Sequence, residues 1–157
     1  MNLLETRKGS RICAMQVIYS QEAGGEDLSG TQLMSSEFLT IEEPDPEYME
    51  RTVQGVCDHK DELDQMIDRF ARGWKAARLP KVDLAILRLG IFEILYREDI
   101  PDGATINECV EMAKKYSNPE SGSYINGILS SCVRYKLNPD EEVETVEMPE
   151  VTEVPEE

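Results

Sequence analysis

The sequence lacks the patterns on which most enzymes and metal sites depend. It has a single histidine, His59, and its four cysteines lie far apart with no C-x-x-C pair, so a zinc site is not expected. It also has no glycine-rich phosphate loop and no G-x-S-x-G nucleophile elbow. Because a nucleophile needs a base within reach, the sequence predicts a protein that is not an enzyme and holds no cofactor.

No hydrophobic run is long enough to cross a membrane, which takes about 20 uncharged apolar residues. The N-terminus, MNLLETRKGSR, places charges where a signal peptide needs its apolar region, so a cytoplasmic protein is expected. The cysteines lie among apolar neighbours at helical spacing, and we expect all four thiols to be reduced and buried (Cys13, Cys57, Cys109 and Cys132).

Basic residues are scarce, with 16 Lys and Arg against 32 Asp and Glu and a net charge of −16. Nine of the acidic residues and none of the basic ones follow Leu137, which leaves 23 acidic and 16 basic residues before that point. High net charge with few large apolar residues predicts a disordered acidic tail over residues 138–157 and one folded domain over residues 1–137. The acidity is therefore concentrated in the tail, and the domain can still carry a local basic patch.

The sequence is rich in helical periodicity and contains no strand-like alternation. Val82 to Tyr96 (VDLAILRLGIFEILY) is apolar on every face apart from three charges, which is typical of a helix inside a domain. Asp45-Pro46 reads as a helix start, and Thr105 with Glu108 reads as a capping box. Together the patterns predict an all-α fold of six to seven helices. Besides Val82 to Tyr96, the predicted helices are Thr6 to Glu22, a weaker one at Leu28 to Leu39, Pro46 to Asp58, Leu63 to Trp74, Thr105 to Lys115 and Ser123 to Arg134.

Three cations, Arg7, Lys8 and Arg11, lie ahead of the first helix and on its first turn, where they oppose the helix dipole. Folding does not explain that placement, whereas a negatively charged ligand would. A second row of cations occurs at every third residue and is either a ridge for phosphates or the solvated face of an amphipathic helix (Arg69, Arg72, Lys75, Arg78 and Lys81).

Three blocks of the chain resemble the NusB family of bacterial transcription antitermination factors. They are, in order, RICAMQVIYSQE, VDLAILRLGIFEIL and INECVEMAKKYSNPESGSYINGIL, and the similarity runs from about Arg7 to Val133. The last block is the most specific, with its I-N-E, A-K and N-G-I-L elements. The resemblance implies an all-helical bundle in two small subdomains without catalytic activity. It further implies binding of single-stranded boxA RNA in ribosomal RNA leaders together with the ribosomal protein NusE.

Carried over to this chain, the resemblance places RNA contacts at the N-terminal cations, in the first helix and around the loop before the last helix. Two lysines at the end of a helix join them, although cations there also suit the helix dipole. The predicted RNA contacts are Arg7, Lys8, Arg11, Tyr19, Lys114, Lys115, Glu120, Tyr124 and Asn126. Those predicted to face NusE are Asp83, Phe92 and Glu93.

Some of these residues also have a structural interpretation. Tyr124, at helical spacing, is either a core residue or a platform on which a base stacks. Arg88, inside an apolar helix, suits an ion pair. Because Gly9 and Ser10 interrupt the basic N-terminus, where many members of the family are richer in arginine, two functions stay open. One is an antitermination factor that binds RNA, and the other is a protein-only adaptor that binds NusE or another partner with little affinity for RNA.

Overall fold

The computed structural model describes residues 3–22 and 45–148, and within them the chain forms six α-helices. The all-α prediction is confirmed. The helix predicted at Leu28 to Leu39 lies outside the described residues. The six helices are α1 (Leu3–Glu22), α2 (Pro46–Asp58), α3 (Lys60–Phe70), α4 (Lys81–Tyr96), α5 (Asp102–Tyr116) and α6 (Ser121–Leu137).

Helix α4 lies at the centre and contacts each of the other five helices. Every residue from Asp83 to Ile94 is buried, which explains why the sequence is apolar on all its faces. Helices α1 and α2 pack against each other and against α4, and α5 and α6 do the same. The two helical groups that the resemblance implied therefore share α4 as their common support.

Of two helix starts predicted from the sequence, one is confirmed and the other is wrong. The Asp45 side chain accepts a hydrogen bond from the Glu47 backbone nitrogen at 3.2 Å, directly before Pro46 opens α2. This is the predicted N-cap. By contrast, α5 begins at Asp102, so Thr105 lies inside the helix and does not cap it. The predicted capping box was wrong because the Thr105 hydroxyl donates to a buried carboxylate instead, that of Glu93.

The second row of cations does not lie on a single helix. Helix α3 ends at Phe70 and is followed by a two-residue strand, β1 (Ala71–Arg72), and a 3₁₀ turn (Ala76–Arg78). Gly73 turns the chain between them with a φ of 82°, a value that favours glycine. The five cations of this row are exposed, and they are spread over α3, β1, the 3₁₀ turn and the start of α4, with Lys75 between elements, so they do not form a helical ridge.

The first part of the acidic tail packs on the helical body. Strand β2 (Val146–Glu147) pairs in parallel with β1. The Ser131 hydroxyl of α6 donates to the Glu144 carbonyl oxygen at 3.1 Å. A Cβ at Gly127 would lie 3.0 Å from a Val146 methyl group, so this glycine gives the segment room to cross α6. The packed chain thus extends to residue 148, beyond the expected boundary at residue 137, and residues 149–157 lie outside the described part.

The cysteines follow the prediction at three of their four positions. Cys13, Cys109 and Cys132 are buried, whereas Cys57 is exposed on α2, so its predicted burial was wrong. Burial raises the pKa of the Cys13 thiol to about 11, because a thiolate is poorly solvated inside the protein. The buried thiols therefore stay protonated at neutral pH and serve as small apolar groups.

The central position of α4 predicts the cost of truncating it. Leu87 is fully buried, so Leu87→Ala should lower the free energy of unfolding by about 2–5 kcal/mol through lost burial and the cavity left behind. The matched control is Leu137→Ala at a side chain that is 68% exposed, where the change should stay within about 0.5 kcal/mol. Denaturant titrations of both variants measure this. A loss below about 1 kcal/mol for Leu87→Ala would contradict the core assignment.

Candidate nucleic-acid interface

Helices α1 and α5 form a groove of about 260 Å³, which we call the lysine groove. Lys8 lines it from α1, and Lys114 and Lys115 line it from the last turn of α5. Two carboxylates, Glu108 and Glu111, also line it. The fold therefore brings together three cations that the sequence predicts as RNA contacts at two distant positions.

The three lysines are exposed to solvent. The Lys8 side chain is 59% exposed, and its Nζ lies 4.0 Å from a Glu108 carboxylate oxygen. The Lys114 side chain is 61% exposed, with Nζ 3.9 Å from Glu111. Exposed ion pairs of this kind contribute about 0–1 kcal/mol, so a phosphate can displace the carboxylates at little cost.

Arg11, predicted to contact RNA, is instead a core residue. It is 3% exposed, and its Nε and Nη2 donate to the two carboxylate oxygens of Glu93 at 2.9 and 3.0 Å. A buried carboxylate needs a cation and further hydrogen bonds to offset its lost hydration. The predicted role of Arg11 at the RNA surface is therefore wrong: the structure gives it the structural role that the sequence did not show.

Glu93, predicted to face NusE, is also fully buried, which corrects that prediction. Besides Arg11 it accepts hydrogen bonds from the Tyr48 hydroxyl and, at 2.6 Å, from the Thr105 hydroxyl. Burial together with the Glu93 charge raises the pKa of Tyr48 well above its usual value. Burial alone would lower the pKa of Arg11, but the hydrogen bond and charge of Glu93 outweigh it and raise that pKa. The site is thus one buried ion pair with two neutral donors.

Arg7 is half-buried beside this ion pair. Its guanidinium carbon lies 4.8 Å from the centre of the Tyr48 ring, a cation–π contact, and its Nε is buried without a hydrogen-bond partner. Arg7 therefore combines a packing role with partial exposure. Of the three N-terminal cations, Lys8 alone has an exposed side chain.

Asp83 and Tyr124 contact each other inside the protein, which corrects both predictions. Asp83 is fully buried, and its Oδ2 accepts hydrogen bonds from the Ser121 hydroxyl at 2.8 Å and from the Tyr124 hydroxyl. Burial and the hydrogen bond to Asp83 raise the pKa of Tyr124 above its usual value. Asp83 thus does not face a partner, and Tyr124 is not a stacking platform. Together they fix the start of α6.

Two predicted RNA contacts lie on the surface near the start of α6, Glu120 directly before the helix and Asn126 within it. Glu120 and Asn126 are exposed, while Tyr19 is half-buried against the core. The Asn118 side chain accepts hydrogen bonds from the backbone nitrogens of Glu120 and Ser121 at 3.1 and 3.2 Å. Asn118 was not among the predicted site residues, although an asparagine in front of a proline is a typical turn signal.

Phe92, the third residue predicted to face NusE, is 4% exposed and belongs to the core. Its ring also lines a second groove, between α2 and α4. Arg88 has the structural role that the sequence left open, since its Nε and Nη2 donate to Asp64 at 2.8 Å and its Nη1 donates to Glu22 at 2.9 Å. The charged residues of α4 beyond its first residue are therefore all buried, and Arg88 and Glu93 form ion pairs there.

Within residues 3–22 and 45–148, no cluster of three or more His, Cys, Asp and Glu side chains could hold a metal ion. No helix in those ranges is long and apolar enough to span a membrane. What the described surface offers at this site is a groove with three cations beside a loop fixed by hydrogen bonds.

Comparison with known proteins gives a consistent result. Residues 8–134 match the model of the NusB family. The transcription antitermination protein NusB of Acetivibrio thermocellus is 46% identical over 131 residues, which cover 83% of this chain and 90% of that protein. Its counterpart in Ruminiclostridium cellulolyticum is 44% identical over 124 residues, covering 79% of this chain and 86% of that protein.

Solved structures of similar proteins share the fold. The structure of antitermination factors NusB and NusE in complex with double-stranded RNA superposes with a TM-score of 0.70 at 26% identity, covering 84% of this chain and 98% of that one. NusB of T. maritima superposes with a TM-score of 0.68 at 30% identity, covering 82% of this chain and 90% of the T. maritima chain. The protein thus has the all-helical fold of the solved NusB structures. The chain belongs to the NusB family.

The buried ion pair predicts that substituting two nearby cations of α1 will have very different effects on stability. Arg11→Met should lower the free energy of unfolding by about 3–5 kcal/mol, because it leaves the Glu93 charge buried without a cation. Lys8→Met, at an exposed position three residues away, should change it by no more than about 0.5 kcal/mol.

A double-mutant cycle adds the specific control. Glu93→Gln in the Arg11→Met background should cost much less than the same substitution alone, with a coupling of about 0.5–3 kcal/mol measured by denaturant titration. Additive effects would show that the two residues do not interact.

Proposed function

We propose that this protein is a transcription antitermination factor that binds boxA-type single-stranded RNA in ribosomal RNA leaders as a heterodimer with NusE. In this role it carries out no catalysis, uses no cofactor and works in the cytoplasm, where bacterial transcription takes place. The observation that carries the RNA-binding part is the lysine groove, in which Lys8, Lys114 and Lys115 meet across two helices.

RNA would contact this surface through its phosphates and its bases. The three lysines suit phosphates, since contacts of this kind supply most of the affinity for a nucleic acid. Beyond the end of α5, the exposed side chains of Glu120 and Asn126 offer hydrogen-bonding groups for base edges, which in single-stranded RNA are accessible. Arg7 and Tyr19, both half-buried, are proposed to complete the contacts.

The proposed partner follows from the relatives. A similar protein was solved in a complex with NusE and double-stranded RNA, and the curated relatives carry the name of an antitermination protein. Of the three residues predicted to face NusE, Phe92 retains contact with a surface groove, while Asp83 and Glu93 are enclosed by the core. The NusE surface is therefore proposed to lie on exposed side chains other than these two carboxylates.

The protein-only adaptor stays as the second candidate, and one observation favours it. Since Arg11 is buried and Arg7 half-buried, the exposed cations of this surface are three lysines, and two carboxylates share their groove. An adaptor would bind its protein partner with little affinity for RNA. The two functions predict different affinities of this protein for RNA, measured with and without NusE.

The test is an RNA titration over a range of salt concentrations. Single-stranded RNA binding should lose affinity with a slope of roughly −0.7 per phosphate neutralised, so three to four contacts predict a slope of about −2 to −3. Replacing Lys8, Lys114 and Lys115 by alanine should flatten that slope by about two, because these contacts are lost. Gel-shift isotherms with a boxA oligonucleotide, a scrambled one and a duplex, each with and without NusE, give the slopes.

The matched control removes three other exposed cations, Lys75, Arg78 and Lys81, and so changes the net charge by the same amount. It should leave the slope unchanged. Equal flattening by both triple variants would show that overall charge, and not the lysine groove, governs binding. Absence of boxA binding even with NusE present would establish the adaptor instead.

A further inference from the structure

A second groove, of about 580 Å³, runs between α2 and α4 on a face that the RNA proposal does not use. We call it the α2–α4 groove. Its floor is aromatic and its rim is acidic. The floor is formed by His59, Phe92 and Tyr96, and the rim includes three carboxylates and one cation (Glu47, Glu50, Asp58 and Arg51).

The three rings of the floor form one cluster, in which His59 and Phe92 also approach each other, with centres 6.3 Å apart. The centres of His59 and Tyr96 lie 4.4 Å apart and those of Phe92 and Tyr96 lie 5.5 Å apart, with small interplanar angles in both pairs. Gly55 makes this possible, because a Cβ there would lie 2.2 Å from a Phe92 ring carbon. The absence of a side chain at this position lets the Phe92 ring rest against the backbone of α2.

The floor is also held by hydrogen bonds. The Tyr96 hydroxyl donates to Glu62 at 2.6 Å, and this hydrogen bond raises the pKa of Tyr96 to about 12. The His59 Nδ1 lies 3.3 Å from the same carboxylate. These contacts occupy the polar edges of two rings, and both rings stay half-buried where they line the groove.

The carboxylates of the rim are only partly neutralised. Arg51 lies 3.6 Å from Glu47, which Arg97 also approaches at 3.6 Å. Glu50 is exposed and has no ion pair within the described ranges, and Asp58 accepts a hydrogen bond only from the neutral Gln54 amide, at 2.9 Å. Two carboxylates at this groove therefore lack a cation. Their charge repels an RNA backbone, and equally the acidic tail of the chain itself.

We propose that the α2–α4 groove binds an arginine side chain from a basic segment of a protein partner. A guanidinium can stack on the aromatic floor while its N–H groups donate to the carboxylates of Glu50 and Asp58, a combination that suits arginine better than the strongly hydrated ammonium of lysine. This proposal is independent of RNA binding. A protein that assembles with both an RNA and a basic protein would then use surfaces of opposite charge for the two.

The test uses the full chain and a capped heptapeptide of alternating glycine and arginine. Two-dimensional amide NMR should show shifts at Gly55, His59 and Tyr96 on adding it. The same peptide with lysine should bind about threefold or more weakly, and one with glutamine should not bind. A boxA oligonucleotide should leave these three amides unshifted.

A pair of matched variants separates the groove from general charge. Glu50→Gln with Asp58→Asn should weaken arginine-peptide binding about three- to tenfold, as loss of two close carboxylates would. Glu141→Gln with Glu142→Gln makes the same change of charge at exposed positions outside the groove and should have no comparable effect. Tyr96→Leu keeps the carboxylates and should remove the preference for arginine over lysine, with circular dichroism confirming the helical content.

Several results would overturn the proposal. Equal weakening by the two charge variants would mean non-specific attraction to an acidic protein. Peptide-induced shifts confined to amides outside the groove would mean that the peptide binds elsewhere. Shifts of the groove amides on adding RNA would mean that RNA binds in the groove. Shifts of the three amides that depend on protein concentration without peptide would show that a second copy of the chain occupies the groove.

Discussion

The arrangement of the helices depends on the buried carboxylate of Glu93. It lies on α4 and accepts hydrogen bonds from Arg11 of α1, Tyr48 of α2 and Thr105 of α5. Burying a charge without partners costs several kcal/mol, so these three helices must all reach α4 in one arrangement before the carboxylate can be enclosed. Apolar packing supplies most of the driving force for folding, while this contact selects which packing is adopted.

The same contact positions the lysine groove. Arg11 follows Lys8 by about one helical turn on α1, and Thr105 lies on the helix that carries Lys114 and Lys115. Both walls of the groove are therefore fixed to α4 through one carboxylate. Two further charged residues of α4 join it to other helices by hydrogen bonds. Arg88 donates to Asp64 of α3, and Asp83 accepts from Ser121 at the start of α6. The loop before α6 and the lysine groove are thus both held by hydrogen bonds to α4.

The sequence was sufficient to predict the features that depend on local pattern. An apolar sequence on every face predicted the central helix, and Asp45-Pro46 predicted the start of α2. It was not sufficient for features that depend on partners distant in the sequence. Arg11 and Glu93 are 82 positions apart, and the sequence shows no sign that they neutralise each other, so both were predicted on the surface. Likewise, the acidic composition of the tail predicted disorder there and gave no sign that Val146 packs against α6 at Gly127.

Native-state hydrogen exchange on the unmodified full-length protein tests the role of Glu93 most directly. Opening free energies are measured residue by residue and compared with the free energy of global unfolding. If Glu93 joins α1 and α5 to α4, the amides around Arg11, around Thr105 and in the middle of α4 should exchange with one shared free energy, equal to the global value. Exchange around Arg11 or Thr105 through a separate opening of much lower free energy, while α4 stays protected, would contradict this account.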